Sequence, residues 1–165
     1  MDHEGGRGGV RDETQLVEVE RDGYLISTDP ERLDLDAIHA YLTRSYWAEG
    51  IPKDIVERSL RGSLCFGLYN GGEQVGLARV ITDRATFAYL CDVYVLEAER
   101  GKGLSKWLLE VLVEHPALIY LRRFLLATRD AHALYARYGF TEPARPHMFM
   151  EIARPGLYKD GVTGP

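Results

Sequence analysis

The spacing of apolar residues along the chain predicts short strands first and a strand–helix alternation afterwards. Runs with a period of two, or fully apolar runs, indicate strands, and apolar positions three and four residues apart indicate helices. Strands are expected at 16–19, 24–27, 63–69, 74–82, 86–95, 124–127 and 148–152. Helices are expected at 35–46, 52–60, 104–114 and 130–138.

The turns between these elements predict the topology of a sheet. Asn70-Gly71-Gly72 separates two apolar runs, which is a strong hairpin signal, and the turn at 82–84 leads into a third run. Three strands joined by tight turns form an antiparallel meander, and the later strand–helix–strand–helix order adds a parallel strand. We therefore expect an α+β (mixed α/β) fold: a central mixed, largely antiparallel sheet of about six to seven strands, with helices on both faces.

Length and composition fit one globular domain. The chain has 165 residues, of which 45% are hydrophobic and 27% charged. Residues 1–13 are Gly-rich and charged, so we expect a disordered tail there and a single domain over 14–165. The net charge of −5 argues against nucleic acid as a partner, because phosphate binding needs a basic face.

No feature of the sequence points to a membrane, a metal or an oxidising compartment. No apolar run reaches the length of about 20 residues that spans a bilayer, and the N-terminus lacks the apolar core of a secretion signal. Cys65 and Cys91 show no metal-ligand spacing and are expected to be free, buried thiols. A cytoplasmic protein without a metal cofactor is the expectation.

The segment from Arg100 to Ser105 is the first candidate for chemistry. It is a basic, Gly-rich turn between the strand at 86–95 and the helix at 104–114. The N-terminus of a helix exposes unpaired N–H groups and carries about half a positive charge, so it can bind a phosphate. Gly101 and Gly103 would let the backbone approach that phosphate closely. A basic turn with no ligand is the alternative.

A second motif lies at the end of the helix predicted for 130–138, where Tyr135 is followed by Gly139 and Phe140. The order strand, Arg-x-x-Gly-x-small, helix, strand, helix with Tyr-x-x-x-Gly-Phe resembles the GNAT superfamily of N-acetyltransferases over residues 62–140. Two positions depart from the usual pattern. Ser105 stands where Gly or Ala is usual, and Thr128 stands where many members carry Asn.

The resemblance implies that acetyl-CoA is the acyl donor, with no metal, and that an amine attacks the acetyl group directly. It implies that the loop holds the pyrophosphate and that the preceding strand hydrogen-bonds the pantetheine arm. The strand valines could equally pack in the core, since a cofactor would use their backbone. The implied cofactor-binding residues are Val93, Tyr94, Val95, Arg100, Gly101, Lys102, Gly103, Leu104 and Ser105.

Tyr135 is the candidate general acid, a role that the superfamily often gives to the tyrosine at this position. A phenol with a pKa near 10 is protonated at neutral pH and can donate to a leaving thiolate. A helix tyrosine that only packs against the core is the alternative.

Asp92 is the candidate general base, because it is a carboxylate within the apolar strand at 86–95. Strand alternation predicts Asp92 and Tyr94 on one face, and Cys91 with Val93 and Val95 on the other. An ion pair with Arg79 is the competing hypothesis for Asp92. His132, or a chain of ordered waters, could serve as the base instead.

Tyr46 and Trp47, at the end of the first predicted helix, are candidates for the wall of an acceptor site, together with Tyr94 and a polar contact from Arg79. Core packing is the alternative for the aromatic residues. The acceptor is expected to be a primary amine of an unidentified small molecule or peptide. A non-catalytic acyl-CoA-binding sensor or interaction module is the rival function, and either a monomer or a homodimer is compatible with the sequence.

Overall fold

A computed structural model describes residues 16–159, so the tail predicted for 1–13 lies outside the described residues. Within these residues the fold is α+β, with six strands in one sheet and four α-helices, as the sequence predicts. The strands are β1 (Glu18–Arg21), β2 (Tyr24–Ser27), β3 (Leu64–Asn70), β4 (Glu73–Thr82), β5 (Phe87–Val95) and β6 (Arg123–Leu126). The helices are α1 (Leu35–Leu42), α2 (Lys53–Arg61), α3 (Leu104–Val113) and α4 (His132–Ala136).

The strands lie in the sheet in the order in which they occur along the chain. Each neighbouring pair from β1 to β5 is antiparallel, and β6 alone runs parallel to its neighbour β5. The parallel pair is connected through α3, because a parallel crossover needs a long connection. The sheet is therefore mixed and mainly antiparallel.

Helices cover both faces of the sheet, and each face has its own apolar core. On one face α3 and α4 pack over a cluster that includes Phe66, Leu90 and Leu108. On the other face α1 and α2 pack over a smaller cluster that includes Leu77 and Tyr94. The period of two in the strands produces this division, since successive side chains point to opposite faces.

Helix α1 begins as the sequence predicts and ends earlier. The Asp34 side chain accepts a hydrogen bond from the Ala37 N–H at 3.0 Å, which caps the first turn. The helix stops at Leu42, four residues before the predicted end. There the Ser45 hydroxyl donates to the Leu42 carbonyl at 2.7 Å and accepts from the Ala48 N–H at 3.2 Å. This serine turns the chain out of the helix, so the aromatic residues after it lie in a loop.

A β-bulge in β5 changes the predicted alternation. Two residues, Asp92 and Val93, lie opposite the single residue Ala78 of β4, and Asp92 has a φ of +49°. Cys91 is paired with Arg79 across the ladder and therefore shares the face of Tyr94. The expectation that Cys91 lies on the opposite face from Asp92 is wrong for this reason.

The strand predicted at 148–152 is absent. A 3-10 turn occupies Pro146–Met148, and residues 149–154 have no regular structure. A strand forms only where a neighbour pairs its N–H and C=O groups, and the segment has no such neighbour among residues 16–159. No helix within residues 16–159 is long and apolar enough to cross a membrane.

Candidate active site

The sheet opens beside the second half of β5. The β5–β6 ladder pairs Phe87–Leu90 with Arg123–Leu126 and goes no further. Among residues 16–159, no strand therefore lies on the β6 side of the remaining part of β5, which includes Val93, Tyr94 and Val95. A ligand with amide groups can hydrogen-bond to such a free strand edge. The three residues predicted to hold a pantetheine arm lie at this edge.

The edge leads directly into the loop of Arg100–Ser105. Gly101 and Gly103 have φ angles of +80° and +75°, which a residue with a Cβ rarely adopts. Gly103 is the N-cap of α3, and no side chain caps this helix. The first backbone bond of α3 runs from the Trp107 N–H to the Gly103 carbonyl at 3.1 Å. The N–H groups of the first helical turn are thus available to an anion.

A cavity of about 310 Å³ lies against this helix start. Gly101, Gly103, Leu104 and Ser105 line it, and Leu134 of α4 closes its other side. An ideal Cβ on Gly103 would meet no atom within 4 Å, so the space in front of the loop is open. The residues fit a bound phosphate, because they combine free N–H donors, the positive end of the helix dipole and close backbone approach.

The Arg100 side chain supports the loop from behind. Its Nε donates to the Val95 carbonyl at 3.1 Å, and its Nη2 donates to the Tyr41 hydroxyl at 3.1 Å. The Arg100 N–H donates to the Glu97 carbonyl at 3.3 Å. Arg100 therefore fixes the direction in which the chain leaves β5, and the loop residues after it present the free donors.

Lys102 is held by a cluster of polar residues that the sequence reasoning missed. Its Nζ donates to Glu99 Oε2 at 2.9 Å and to the Tyr24 hydroxyl at 3.1 Å. Glu99 also accepts from the Tyr24 hydroxyl at 2.5 Å and from Asn70 Nδ2 at 3.2 Å. These hydrogen bonds, with the Tyr24 hydroxyl first, lower the pKa of Glu99 to about 2. In the sequence, only the i, i+3 spacing of Glu99 and Lys102 could have indicated this ion pair.

Tyr135 lies next in sequence to Leu134, which lines the cavity at the loop. It belongs to α4, is 9% exposed and packs edge-on against Phe140, with ring centroids 5.9 Å apart. Burial raises the pKa of Tyr135, so the phenol stays protonated at neutral pH.

Thr128, one of the two departures from the family pattern, supports the start of α4. Its Oγ1 accepts a hydrogen bond from the Ala131 N–H at 3.0 Å. The threonine thus fixes the turn that precedes Tyr135.

Asp92 forms an ion pair with Arg79, which was the competing hypothesis for this residue. Asp92 Oδ2 lies 2.7 Å from Arg79 Nε, and the two side chains are 10% and 14% exposed. Trp47 Nε1 donates to Asp92 Oδ1 at 2.8 Å, and Arg79 Nη1 donates to the Ser63 hydroxyl at 3.0 Å. Both carboxylate oxygens and two of the three guanidinium nitrogens are therefore already used. A substrate contact from Arg79 and a base role for Asp92 stay predictions.

The loop after α1 places Tyr46 and Trp47 at the mouth of the cleft. They are 57% and 42% exposed, so neither is a core residue. Their rings meet edge to face at 5.1 Å, and the Arg129 guanidinium lies 4.0 Å above the Tyr46 ring. Arg129 follows β6, so this contact bridges the opening between β5 and β6. Nothing in the local sequence identified it.

Tyr94 does not belong to this exposed aromatic wall. It is 5% exposed, and its ring stacks on Tyr41 at 3.8 Å with an interplanar angle of 6°. The expectation that its side chain lines the acceptor site is wrong, because α1 packs directly on it. Its carbonyl oxygen lies beside Gly76 of β4, on the side of β5 away from the opening.

The remaining candidates for a chemical role are a histidine and a cysteine. His132 is exposed at the start of α4, and its role as a base stays a prediction. Burial raises the pKa of the Cys91 thiol to about 12, so this thiol is a poor nucleophile. Residues 16–159 contain no group of three His, Cys, Asp or Glu side chains that could hold a metal ion.

Comparison with known proteins agrees with this geometry. Residues 61–142 match the family model described as an acetyltransferase (GNAT) domain. A protein of Gibberella zeae, named as an acetyltransferase, is 41% identical over 138 residues, which cover 71% of this chain and 78% of the relative.

Solved structures share the fold. A crystal structure of a protein from Xanthomonas campestris pv. campestris, assigned to the GNAT family, is 53% identical with a TM-score of 0.80 and covers 82% of this chain and 96% of its own. A protein from Clostridium acetobutylicum, described as an acetyltransferase and solved with acetyl-CoA, is 16% identical with a TM-score of 0.57. The match covers 84% of this chain and 98% of that protein, and at this identity it supports the fold alone. The chain belongs to the GNAT family of acetyltransferases.

Proposed function

We propose that the protein transfers an acetyl group from acetyl-CoA to a primary amine by direct attack of the amine. The observation that carries the proposal is that buried Tyr135 belongs to α4, the helix whose Leu134 lines the cavity at the uncapped start of α3. Acetyl-CoA would supply an activated thioester.

The α3 start would hold the pyrophosphate through the N–H groups of Leu104 and Ser105, with Gly103 allowing the close approach. The free edge of β5 at Val93–Val95 offers backbone groups to the amides of a pantetheine arm. A ligand held at both places would direct its thioester along β5 toward the bulge at Asp92. Binding at two fixed places would orient the reacting carbon before any bond changes.

Tyr135 would act as the general acid. The amine forms a C–N bond to the acetyl carbon, the C–S bond breaks, and the Tyr135 hydroxyl gives its proton to the departing sulfur. The raised pKa keeps this proton on the phenol until the sulfur acquires negative charge. Solvent then returns the proton to Tyr135.

The amine must lose a proton before or during its attack. Asp92 already accepts hydrogen bonds from Arg79 on one carboxylate oxygen and from Trp47 on the other. A chain of water molecules reaching bulk solvent at the exposed mouth is therefore the better candidate for carrying this proton. The Asp92 ion pair would then hold Trp47 in place at the acceptor side.

A route through an acetylated cysteine is disfavoured. Cys91 shares the face of the acceptor side, but its thiol has a pKa of about 12 and carries almost no thiolate at neutral pH. Cys65 is buried and its pKa is likewise raised to about 12. Direct transfer needs neither group.

The proposal is tested by measuring thiol release from acetyl-CoA against a panel of primary amines that includes small polyamines, amino acids and peptide N-termini. With an accepted amine, Tyr135→Phe should lower kcat by about 10²–10⁴-fold and leave the KM for acetyl-CoA near the wild-type value. Tyr138→Phe is the matched control, because its hydroxyl donates to the Lys106 carbonyl at 2.9 Å and Tyr138 itself does not line the cavity at the loop.

Two outcomes would contradict the proposal. Equal rates for Tyr135→Phe and wild type, with chemistry rate-limiting, would remove Tyr135 as the acid. Tight acetyl-CoA binding without thiol release for any amine class would favour the non-catalytic acyl-CoA-binding module.

A further inference from the structure

Arg129 places a positive charge at the opening between β5 and β6, and the proposed reaction gives this charge no role. Arg129 follows β6 in the chain, and its guanidinium lies 4.0 Å from the centroid of the Tyr46 ring. Tyr46 belongs to the loop after α1, so the contact joins the two sides of the opening. A cation therefore lies beside the aromatic residues that are predicted to form the wall of the acceptor site.

The contacts around Tyr46 connect Arg129 to the place where the thioester is proposed to end. The Tyr46 ring meets the Trp47 ring edge to face at 5.1 Å, and Trp47 Nε1 donates to Asp92 Oδ1 at 2.8 Å. Asp92 is the bulge residue of β5, toward which the thioester would point. Arg129 also belongs to the turn that leads into α4, the helix of the proposed acid. The guanidinium thus lies among the elements that would surround an incoming amine.

Most N–H donors of the Arg129 guanidinium have no hydrogen-bond partner among residues 16–159. Its Nη2 lies 3.5 Å from Asp130 Oδ2, and these two side chains are 64% and 69% exposed. Water screens such an exposed pair, so Asp130 holds the guanidinium only weakly. An arginine that lies over an aromatic ring can still present its planar fork of donors to a carboxylate, which accepts two parallel hydrogen bonds.

Two acidic side chains close to Trp47 already have cationic partners. Asp92 is held in the ion pair described above, and Glu49 Oε2 lies 3.1 Å from Lys159 Nζ. An acceptor with a second ammonium group would therefore meet Arg129 as a like charge and be repelled. An acceptor with a carboxylate would be attracted to the same place.

We infer that the acceptor is an amine that also carries a carboxylate, such as an amino acid, and that Arg129 binds this carboxylate. The inference rests on the acetyl transfer proposed above and names the acceptor class of the same site. Binding at Arg129, with the aliphatic part of the acceptor against Tyr46 and Trp47, orients the amine toward the thioester at the bulge. Arg129 is a specificity residue and takes no part in the proton transfers.

The test measures thiol release from acetyl-CoA with pairs of acceptors that differ in the carboxylate alone. The pairs are α-amino acids and ω-amino acids of increasing length, each with its carboxamide. Because a carboxamide lowers the pKa of a nearby amine, kcat/KM is expressed per unprotonated amine. For the wild type it should be about 10–100-fold higher with the acid than with the amide, mainly through KM.

Substitutions of Arg129 should remove this preference without affecting the cofactor. Arg129→Gln should bring the ratio of acid to amide close to one and leave the KM for acetyl-CoA unchanged. Arg129→Lys should keep part of the ratio, because an ammonium group carries the charge but lacks the planar fork.

Arg44→Gln is the matched control. Arg44 is also more than half exposed and lies over a tyrosine, with its guanidinium 4.4 Å from the Tyr41 ring centroid. Its two terminal nitrogens already bind the Glu97 carboxylate, at 2.7 and 3.1 Å. This variant should therefore keep the wild-type ratio of acid to amide. Unchanged melting temperatures show that all the variants fold.

Several results would overturn the inference. Amides or carboxylate-free amines accepted as well as the acids, or an acid preference that survives in Arg129→Gln, would reject this acceptor class and leave acetyl transfer intact. A raised KM for acetyl-CoA in Arg129→Gln, with an unchanged ratio of acid to amide, would assign Arg129 to the phosphates of the cofactor. No thiol release with any amine would remove the proposed function and this inference together.

Discussion

Replacement of Asp92 by Asn tests the buried ion pair with little disturbance of the backbone. Asp92 has a φ of +49°, and Asn is the residue other than glycine that tolerates this region best. The side chain keeps its size and one acceptor oxygen, and it loses its charge. Arg79, only 14% exposed, would then lack its carboxylate and keep the Ser63 hydroxyl as a neutral partner.

The expected loss follows from that burial. Removing one member of a buried ion pair costs about 3–5 kcal/mol, because the remaining charge stays desolvated. For a chain of this size, 1 kcal/mol corresponds to about 2–4 °C in melting temperature, so the midpoint should fall by roughly 10 °C. The double variant Arg79→Met with Asp92→Asn should recover part of the loss, since no charge is then stranded.

The measurement is urea unfolding of the wild type, both single variants and the double variant, combined with the pH dependence of kcat/KM. The ion pair predicts a large coupling energy and an acid limb that does not move in Asp92→Asn. A stability change below about 1 kcal/mol, together with a displaced acid limb, would refute the ion-pair argument and make Asp92 the base.

Two further substitutions probe the acceptor side and the core. Trp47→Ala should raise the KM for the amine and leave that for acetyl-CoA unchanged in steady-state assays, and because Trp47 is 42% exposed it should cost less than the 3–5 kcal/mol typical of a core tryptophan. Urea midpoints from pH 8 to pH 5 test His115, which is 4% exposed and whose Nε2 has no hydrogen-bond partner among residues 16–159, so that burial lowers its pKa. As the pH falls, the unfolded chain protonates His115 first, near pH 6.5, so the free energy of unfolding is full above that pH and decreases below it. His115→Asn should make this decrease with pH smaller. An equal decrease in both proteins would exclude His115 as its cause.

Local features of the site could be predicted from the sequence because their causes lie within a few residues. Two glycines between a strand and a helix fix the loop at Gly101 and Gly103, whose positive φ angles the structure shows. The apolar spacing around Tyr135 places it on a helix that faces the core. The alternation of β3 divides the two cores, with Phe66 in one and Cys65 in the other.

Features that depend on distant residues could not be predicted in the same way. The bulge at Asp92 arises from the register between β4 and β5, and it moves Cys91 to the face of Tyr94. The exposure of Trp47 depends on the turn that Ser45 makes after α1. The segment at 148–152 has a strand-like pattern, but pairing partners decide whether such a pattern becomes a strand.

Acetyl-CoA binding measured by isothermal titration calorimetry, with wild type and Gly103→Glu side by side, tests the central claim most directly. Gly103 is the N-cap of α3, and a Glu there would place a negative charge in front of the N–H groups that are proposed to hold the pyrophosphate. Its positive φ makes some strain unavoidable, so Gly103→Ala is the control for backbone effects alone. The account predicts wild-type binding, weaker binding in Gly103→Ala and none in Gly103→Glu. No binding of acetyl-CoA or CoA to the folded wild type at millimolar ligand, or equal binding by Gly103→Glu, would contradict it.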